Sequence, residues 1–508
     1  MLRRKSFLLY LVLCCSNILF SQKIFSKNLH EIRIQTNREH WFDTLQSYYN
    51  SALNGAPQRF IPTQLSIDGV LLDSVGLRFK GKYSNYGFPG KKKPLRLDFN
   101  KFVPGQDFQG LKKLNLHNLA GDPSFLREYM AYDLFRYLNI PASRVSFCRL
   151  YIDNIYWGCY EIVEEPDKQF LNHHFQTKKG NLFEAVKTTA LKWKGDSPAS
   201  YPELELKTDS GAHSWDHLIS WMDLFNNDYS MDYNQQLHTQ FDVDNFMRIQ
   251  AVDVLINNHD CYASNGRNFF LYDHPGDQQI HWVPWDYNLS FWSATQEPIP
   301  QIGGNGYQPF IQRLKDNSFL AQTYLSQFCK LLDNEFSSYP FDERAAEMYN
   351  LIKPAVEEDS LKFYSTEAFY RNINQAVIVS MIRNNVPTNV YLPGIAHLFR
   401  QRKTELRKAL FVAGCNCDDL EESGELSATL YPNPAQEVLH LYIEDDLLQD
   451  DRPPLIEFKD LNGRLLHSER RYPQSGRYDF SLADFQNGVY YIYITSFSKS
   501  FIKKWIKN

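Results

Sequence analysis

The sequence predicts an α+β protein, with a bilobal domain followed by a small C-terminal β-sandwich. Three observations predict it. The first third alternates apolar and polar residues, as strands do, and contains one clear helical stretch. From about residue 215 the apolar spacing becomes three or four, which is typical of helices. The last 80 or so residues return to short strand-like runs separated by turns.

Composition and charge are those of a globular protein. The chain has 508 residues, 43% hydrophobic and 22% charged, and its length suggests about two to four domains. A net charge of −5 argues against a nucleic-acid partner. Beyond the N-terminus no stretch approaches about 18 apolar residues, so we expect no transmembrane helix in the mature chain.

Residues 1–22 resemble a secretory signal peptide, with Arg3 and Arg4 before a short apolar run. Six cysteines remain after its removal. If Asp153-Asn154 is a two-residue turn, Cys148 and Cys159 face one another on paired strands. A disulfide and a pair of buried thiols both remain open at this stage.

The first lobe is predicted to start with a strand over 31–35 and a helix over 40–51. The segments SIDGVLLDSVGLRFKGKYS and KKKPLRLDFNK predict an antiparallel sheet with a flexible tip at 83–90. A helix should follow, capped by Asp122 with Pro123 at its first position. Two strands over 144–152 and 155–164 complete this lobe.

The stretch 257–291 predicts a β-hairpin, because aromatic runs at 269–272 and 280–284 flank a turn at 274–277. Folding it about residue 277 places Asn268 opposite Asp286, with Asp260 a short loop upstream. Such oxygen ligands suit Mg²⁺ or Mn²⁺, and a loop carboxylate can orient a hydroxyl. The alternative is an ordinary hairpin with polar residues capping its ends.

The order of these parts matches that of a protein kinase. A glycine-bearing hairpin, a strand lysine, a helix glutamate and two further strands precede helices and the hairpin with its acids. Helices are then predicted over 309–336 and most of 342–412. Residues 415–427 are acidic and predict a linker.

Two segments carry a family resemblance. The segment KKLNLHNLAGDPSFLREYMAYDLFRYLNIPASRVSFCRLYIDNIYWGCYEIVEEPDKQFL and the hairpin NFFLYDHPGDQQIHWVPWDYNLSF resemble the CotH kinase family, the spore-coat-protein-H-like proteins. The resemblance implies a divergent kinase-like domain over 23–414, which uses ATP or another nucleotide triphosphate with Mg²⁺ or Mn²⁺.

The resemblance also implies roles for single residues. Asp260 would orient the substrate hydroxyl, and Asn268 and Asp286 would hold the metal. Lys93 would contact the phosphates and pair with Glu128 on the following helix. The remaining expected nucleotide contacts are Gly81, Lys82 and Ser84 in the 78–84 loop over the phosphates, and Glu164 with Glu165 at the hinge.

Some alternatives and departures accompany these roles. Lys91 or Lys92 could replace Lys93, and Asn265 has the spacing from Asp260 that ordinary kinases show. Asn288 stands where the family commonly has a second Asp, and Glu184 where it often has Lys.

The C-terminus resembles the sorting domain of bacterial type IX secretion cargo. The residues that carry this resemblance are YPNPA at 431–435, DLNGR at 460–464, NGVY at 487–490 and a basic end. The resemblance covers 428–508 and implies contact with the type IX machinery, export and attachment at the outer-membrane surface.

The sequence therefore favours a secreted or surface phosphotransferase that acts on a Ser, Thr or other hydroxyl of exported proteins. A non-catalytic surface or coat scaffold that keeps the fold is the alternative. A carbohydrate-active enzyme using paired carboxylates and the abundant aromatic residues ranks third.

Overall fold

The computed structural model describes residues 23–208, 211, 213–228, 230, 233–292, 308–383, 386–412, 429–442, 453–461, 464–471, 477–495 and 500–507. The predicted signal peptide (1–22) and linker (415–427) lie outside these residues. The described residues form a mixed α/β structure with five sheets. The bilobal, kinase-like arrangement stays a prediction.

Seven strands close into a barrel in the N-terminal part of the chain. The strands are β1 (Leu29–Gln35), β2 (Ile61–Ile67), β3 (Val70–Phe79), β4 (Leu95–Asp98), β5 (Lys113–His117), β6 (Val145–Ile152) and β7 (Ile155–Val163). Their order is β1-β2-β3-β4-β5-β7-β6. The predicted antiparallel sheet is confirmed for β2, β3 and β4. The barrel closes where β1 pairs in parallel with β6.

Two-residue turns set the register of two barrel hairpins. Asp68 and Gly69 join β2 to β3, and Asp153 and Asn154 join β6 to β7. All four residues have positive φ. That geometry matches the twist of paired strands, so both predicted turns are confirmed.

A bulge in the β6–β7 pair makes the predicted facing of Cys148 and Cys159 wrong. The register shifts by one residue near the turn, so that Arg149 lies opposite Cys159 and Cys148 opposite Tyr160. Both cysteines are buried free thiols. Cys329 is disulfide-bonded, as an exported compartment permits.

Three helices accompany the barrel: α1 (Trp41–Leu53), α2 (Tyr83–Tyr86) and α3 (Arg127–Tyr137). The short α2 occupies the tip predicted to be flexible. The predicted helix start at Pro123 is wrong. The carboxylate of Asp122 instead accepts the Arg127 backbone N–H at 2.8 Å, and Phe125 has a φ of 61°, so a turn precedes the helix.

A second sheet and a set of helices follow the barrel. The sheet has the order β11-β10-β8-β9. Its strands are β8 (Asn181–Ala185), β9 (Leu204–Leu206), β10 (Phe269–Asp273) and β11 (Ile280–Pro284). The helices are α4 (Lys168–Phe175), α5 (Asp216–Asn227), α6 (Tyr233–Gln240), α7 (Val243–Leu255), α8 (Tyr262–Asn265), α9 (Pro309–Asp316), α10 (Ser318–Asp333), α11 (Glu335–Ser338), α12 (Phe341–Glu358), α13 (Thr366–Arg371) and α14 (Ile395–Val412).

The stretch 342–412 contains a hairpin that the helical prediction missed. Strands β12 (Val377–Arg383) and β13 (Val386–Leu392) pair antiparallel within it. The runs VIVSMIR and VPTNVYL are rich in β-branched residues, and this favours strands.

The C-terminal part contains two sheets that share one hydrophobic core. Their orders are β14-β15-β18 and β17-β16-β19-β20. The strands are β14 (Thr429–Tyr431), β15 (Val438–Tyr442), β16 (Leu455–Asp460), β17 (Leu465–Arg470), β18 (Arg477–Ser481), β19 (Gly488–Thr495) and β20 (Ser500–Lys507). Leu439 and Phe480 from one sheet join Phe458, Ile492 and Trp505 from the other in this core. The predicted sandwich packing stays a prediction.

Buried polar links fasten the barrel to the helical part. Lys92 forms a buried ion pair of 2.5 Å with Asp359, which follows α12. Arg127 donates to the carbonyls of Ser290 and Phe291 after β11. Within the part of the chain that the structure describes, no helix combines the length and apolar character needed to cross a bilayer.

Candidate active site

A chain of three polar side chains joins the end of β3 to the start of α3. Lys80 Nζ lies 2.9 Å from His117 Nε2, and His117 Nδ1 lies 2.7 Å from Glu128 Oε2. Lys80 follows β3, His117 ends β5, and Glu128 is in the first turn of α3. Three separate elements therefore set the position of the Lys80 ammonium.

The protonation of His117 follows from its two partners. An ammonium group only donates hydrogen bonds, so Nε2 accepts from Lys80 and Nδ1 carries the proton that it donates to Glu128. Burial lowers the pKa of His117, with Lys80 adding to the effect, and this keeps the imidazole neutral. Burial also lowers the pKa of Lys80 to about 8.

Glu128 is also close to a second buried carboxyl, that of Glu161 on β7. Burial raises the pKa of Glu161 well above its usual range, and the neighbouring Glu128 raises it further. Burial alone would raise the pKa of Glu128 too, but its hydrogen bonds with His117 and Glu161 and the charge of Lys80 lower it. Glu161 therefore keeps its proton and Glu128 is ionised.

The three residues predicted to orient the hydroxyl and hold the metal are brought together by the β10–β11 hairpin. Asn268 Nδ2 donates to the Asp260 carbonyl at 2.7 Å, and the charges of Asp260 and Asp286 interact. The predicted register is off by one residue, since Trp285 N–H, not that of Asp286, donates to the Asn268 carbonyl. Asn265 Nδ2 donates to Asp260 Oδ1 at 2.9 Å.

Asn268 and Asp286 both adopt left-handed backbone conformations, with φ of 64° and 58°. Such residues are uncommon outside glycine and cluster where a side chain must be aimed at a site. The Tyr132 hydroxyl accepts the Asp286 backbone N–H at 2.9 Å. This contact holds the Asp286 backbone against α3.

The electrostatics of Asp286 favour a cation. Burial raises its pKa to about 7, and the carboxylates of Glu128 and Asp260 add to the rise, while Lys80 opposes it. Asp286 thus has two acidic neighbours and one lysine. Carboxylate and amide oxygens are the ligands that Mg²⁺ and Mn²⁺ prefer, so Asp286 and Asn268 fit such an ion.

The predicted ion pair between Lys93 and Glu128 is wrong. Lys93 Nζ instead donates to the carbonyls of Asn85 and Phe88 at 2.7 and 3.2 Å. Lys92 is paired with Asp359, and Lys91 is exposed. Lys80 is the lysine connected to Glu128, through His117.

The residues predicted to cover the phosphates lie together after β3. Gly81 has a φ of 74°, and a Cβ there would overlap the Ser84 hydroxyl. The Ser84 carbonyl accepts from Asn118 Nδ2 at 2.9 Å. Lys82 is exposed, and its Nζ lies 3.3 Å from the Val186 carbonyl. Their contact with a nucleotide stays a prediction.

The two glutamates after β7 have different partners. Glu164, predicted at the hinge, is buried and accepts two hydrogen bonds from the Arg144 guanidinium at 3.0 and 2.5 Å. Its carboxylate is thereby occupied, which leaves only its backbone to contact the base of a nucleotide. Glu165 pairs with Arg96 at 2.6 Å and accepts from Asn115 at 2.7 Å.

Sequence reasoning missed His117 and Glu161 as members of the site. It placed Lys80 only within the loop over the phosphates, and Glu165 only beside Glu164 at the hinge. One signal was available in strand β7. Glu161 lies in the run CYEIV, where a charged residue among apolar neighbours predicts a buried polar role.

The sequence is similar to known proteins in two regions. Residues 77–385 match the family described as CotH kinase protein, and residues 429–508 match the secretion system C-terminal sorting domain. Inner spore coat protein H of Bacillus subtilis is 23% identical over 336 residues, 64% of this chain and 88% of that protein. Invasin CotH7 of Rhizopus delemar is 21% identical over 184 residues, 35% of this chain and 30% of that protein.

Proposed function

Because the chain belongs to the CotH kinase protein family, we propose that it is a kinase-like phosphotransferase of the cell surface. It would move a phosphate from ATP, or another nucleotide triphosphate, to a Ser, Thr or other hydroxyl of an exported protein. The observation that carries the proposal is one partly buried cluster, in which Lys80 interacts with Glu128 and Asp286 and in which Asp286 interacts with Asp260.

Lys80 is the phosphate-contacting group in this proposal. Protein kinases use a strand lysine that is held by a helix glutamate. Here His117 lies between Lys80 and Glu128, and its two hydrogen bonds let Glu128 hold the Lys80 ammonium in position. Lys80 is further held over the Trp285 ring, 5.5 Å from its centroid.

Asp286 and Asn268 would hold Mg²⁺ or Mn²⁺, with Glu128 nearby as a further carboxylate. When bound, the ion supplies positive charge to the phosphates. Two left-handed backbone residues and the Tyr132 contact fix the two side chains before any ligand arrives. Such preorganisation is the main contribution that a protein makes to phosphoryl transfer.

Asp260 would orient the acceptor hydroxyl. Its Oδ1 accepts from Asn265 Nδ2, and its backbone carbonyl accepts from Asn268. These contacts leave Oδ2 as the oxygen to accept the proton of a substrate hydroxyl. The hydroxyl would then be placed beside the metal-binding residues.

The family and the sorting domain together indicate a surface or coat protein. The sorting domain supports secretion through the type IX system and location at the cell surface. The proposed substrates are therefore exported proteins.

A non-catalytic surface scaffold is the second candidate. The relative from Bacillus subtilis is named as a spore coat protein, and Asn288 stands where a second acid is common. A scaffold would keep the fold and its polar cluster without binding nucleotide.

A thermal-shift titration with ATP and Mn²⁺ separates the two candidates. A ligand raises stability by RT ln(1 + [L]/Kd), so we expect the melting temperature of the wild type to rise and that of Asp286→Asn to stay constant. Asp43→Asn on the exposed face of α1 is the control and should behave as the wild type. A flat wild-type response at millimolar nucleotide favours the scaffold. Phosphate transfer from labelled ATP that survives Asp286→Asn would contradict the assigned metal site.

A further inference from the structure

The turn end of the β10–β11 hairpin, away from the candidate active site, carries a second cluster of potential metal ligands. It consists of His274, Asp277 and His281, which we name the hairpin histidine cluster. His274 Nδ1 lies 2.9 Å from Asp277 Oδ1, and His281 Nε2 lies 2.9 Å from Asp277 Oδ2. The ligand atoms of all three residues lie within 4.8 Å of one another.

These separations suit a small transition-metal ion. Zn²⁺ binds imidazole nitrogen and carboxylate oxygen at about 2.0–2.2 Å, which puts neighbouring ligand atoms roughly 3.4 Å apart in a tetrahedral site. Each observed 2.9 Å contact has to open by only about half an ångström to admit the ion. Two imidazoles and a carboxylate favour zinc and similar metals over Mg²⁺ and Ca²⁺.

A further contact is typical of metal-binding histidines. The second ring nitrogen of His281, Nδ1, lies 3.1 Å from Asp242 Oδ2. Metal-binding histidines usually donate their other N–H to a carboxylate, which fixes the tautomer and the ring orientation. Asp242 is itself held at the start of α7, where its side chain accepts the Asn245 N–H at 3.2 Å.

The supporting frame is rigid. The His274 N–H donates to the Gln279 carbonyl at 3.0 Å across the turn. The Phe175 ring from α4 packs against both imidazoles, with centroids 5.8 Å from His274 and 5.2 Å from His281. The ligands are therefore in place before an ion binds.

A cavity of about 830 Å³ opens beside the cluster. His274 and Asp277 line it, together with His217, His238 and Thr239. His238 Nε2 is buried there without a hydrogen-bond partner among the described residues. Three protein ligands beside an open cavity leave a coordination position for water or an added ligand.

From this geometry we infer that the hairpin histidine cluster is a binding site for Zn²⁺ or a similar transition-metal ion, separate from the candidate active site. His274, Asp277 and His281 are the ligands, and Asp242 positions His281. The inference does not depend on kinase activity.

Titration of the full-length protein with Zn²⁺, against a chromophoric chelator, tests the inference. We expect one tightly bound ion per chain, and at least a tenfold loss of affinity in His274→Gln and in His281→Gln. Asp242→Asn keeps all three ligands and should weaken binding about 10- to 100-fold. Circular dichroism and melting of the metal-free variants check that each one folds.

Two controls assign the ion to this site. His213→Gln changes an exposed histidine outside the cluster and should bind as the wild type does. The Asp286→Asn background removes the candidate active-site acid, and the tight Zn²⁺ site should persist there. An absence of saturable binding, or equal affinity in both histidine variants and the wild type, overturns the inference and leaves an ion-pair network only.

Discussion

Lys80 lies half-buried between an imidazole and an indole ring. Its Nζ lies 2.9 Å from His117 Nε2 and 5.5 Å from the Trp285 centroid. Burial lowers its pKa to about 8, so the ammonium remains mostly charged at neutral pH. A nucleotide phosphate would supply the counter-charge that this buried cation favours.

We expect Lys80→Met to reduce ATP affinity by at least about tenfold, or roughly 1.4 kcal/mol, because the phosphates lose their buried cation. Calorimetric titration with ATP and Mn²⁺ measures this. Lys91→Met, at an exposed lysine of the same loop region, should change affinity less than about twofold. An equal loss in both variants would show that general surface charge, and not Lys80, attracts the nucleotide.

Glu165 is a further residue of this site whose charge is set by its neighbours. Burial alone would raise its pKa, but Arg96 and Lys80 outweigh it and hold the pKa at about 2. The folded-state pKa is thus below the ordinary value of 4.5. The stabilisation that the ionised Glu165 gives to the folded state is therefore complete above pH 4.5 and is lost as the pH falls through 2.

Glu165→Gln removes this ionisable group, and we expect it to lower the free energy of unfolding by roughly 3 kcal/mol at pH 7. The difference from the wild type should shrink below about pH 4.5, because the carboxylate of the unfolded wild type then takes up a proton while that of the folded protein stays ionised until about pH 2. Urea unfolding of both proteins at pH 7, 5, 4 and 3 measures this difference in the free energy of unfolding. Glu184→Gln, in a more exposed pair with Lys207, should cost less than about 1 kcal/mol. A difference independent of pH would contradict the assigned ionisation.

At the scale of elements, the bulge in the β6–β7 hairpin makes room for a link between the barrel and the helical part. Gly158 in β7 has a φ of 123°. A Cβ at this position would overlap the carboxylate of Asp359. That carboxylate accepts the Cys159 N–H at 3.1 Å and pairs with Lys92 at 2.5 Å. The bulge and the buried ion pair therefore depend on each other.

Gly158→Ala should lower the free energy of unfolding by roughly 2–4 kcal/mol, because it strains the backbone and displaces a buried ionic partner. Gly105→Ala is the matched control. Gly105 also has positive φ, but a Cβ there meets nothing within 4 Å, so it should cost only about 1 kcal/mol. Chemical denaturation of both variants compares them. Equal costs would mean that backbone strain alone acts at Gly158.

At the scale of the whole molecule, residues 429–508 form a unit with its own core. The last strand, β20, pairs with β19 along its full length, from Ser500 to Lys507. It contributes Trp505, which is fully buried in that core. We therefore expect the sorting domain to need this strand for folding.

We expect residues 429–508, fused after a reporter that already reaches the periplasm, to deliver it to the surface of a bacterium with type IX secretion. The same fusion without 500–507 should stay in the periplasm, because the core loses Trp505 and β19 loses its pairing with β20. Protease accessibility of the reporter on intact cells measures delivery. Surface delivery by the shortened fusion would show that a folded C-terminal core is not required.

The site was predictable from sequence where its parts are local. Asn268, Asp286 and Asp260 are joined by one hairpin and one short loop, so turn residues and strand patterns indicated their convergence. Lys93 was misplaced because sequence patterns place a lysine on a strand end without showing which way its side chain reaches. His117 was missed because its role depends on two partners distant in sequence, Lys80 and Glu128.

The sequence by itself determined the β2–β3, β6–β7 and β10–β11 hairpins and the sorting domain, because each depends on residues near one another in the chain. Only the tertiary structure decided how β1 closes the barrel beside β6, why the bulge at Gly158 separates the two cysteines, and which lysine reaches Glu128. Those outcomes depend on packing and charge between segments that are far apart in sequence. One of them, the lysine that reaches Glu128, is central to the proposed chemistry.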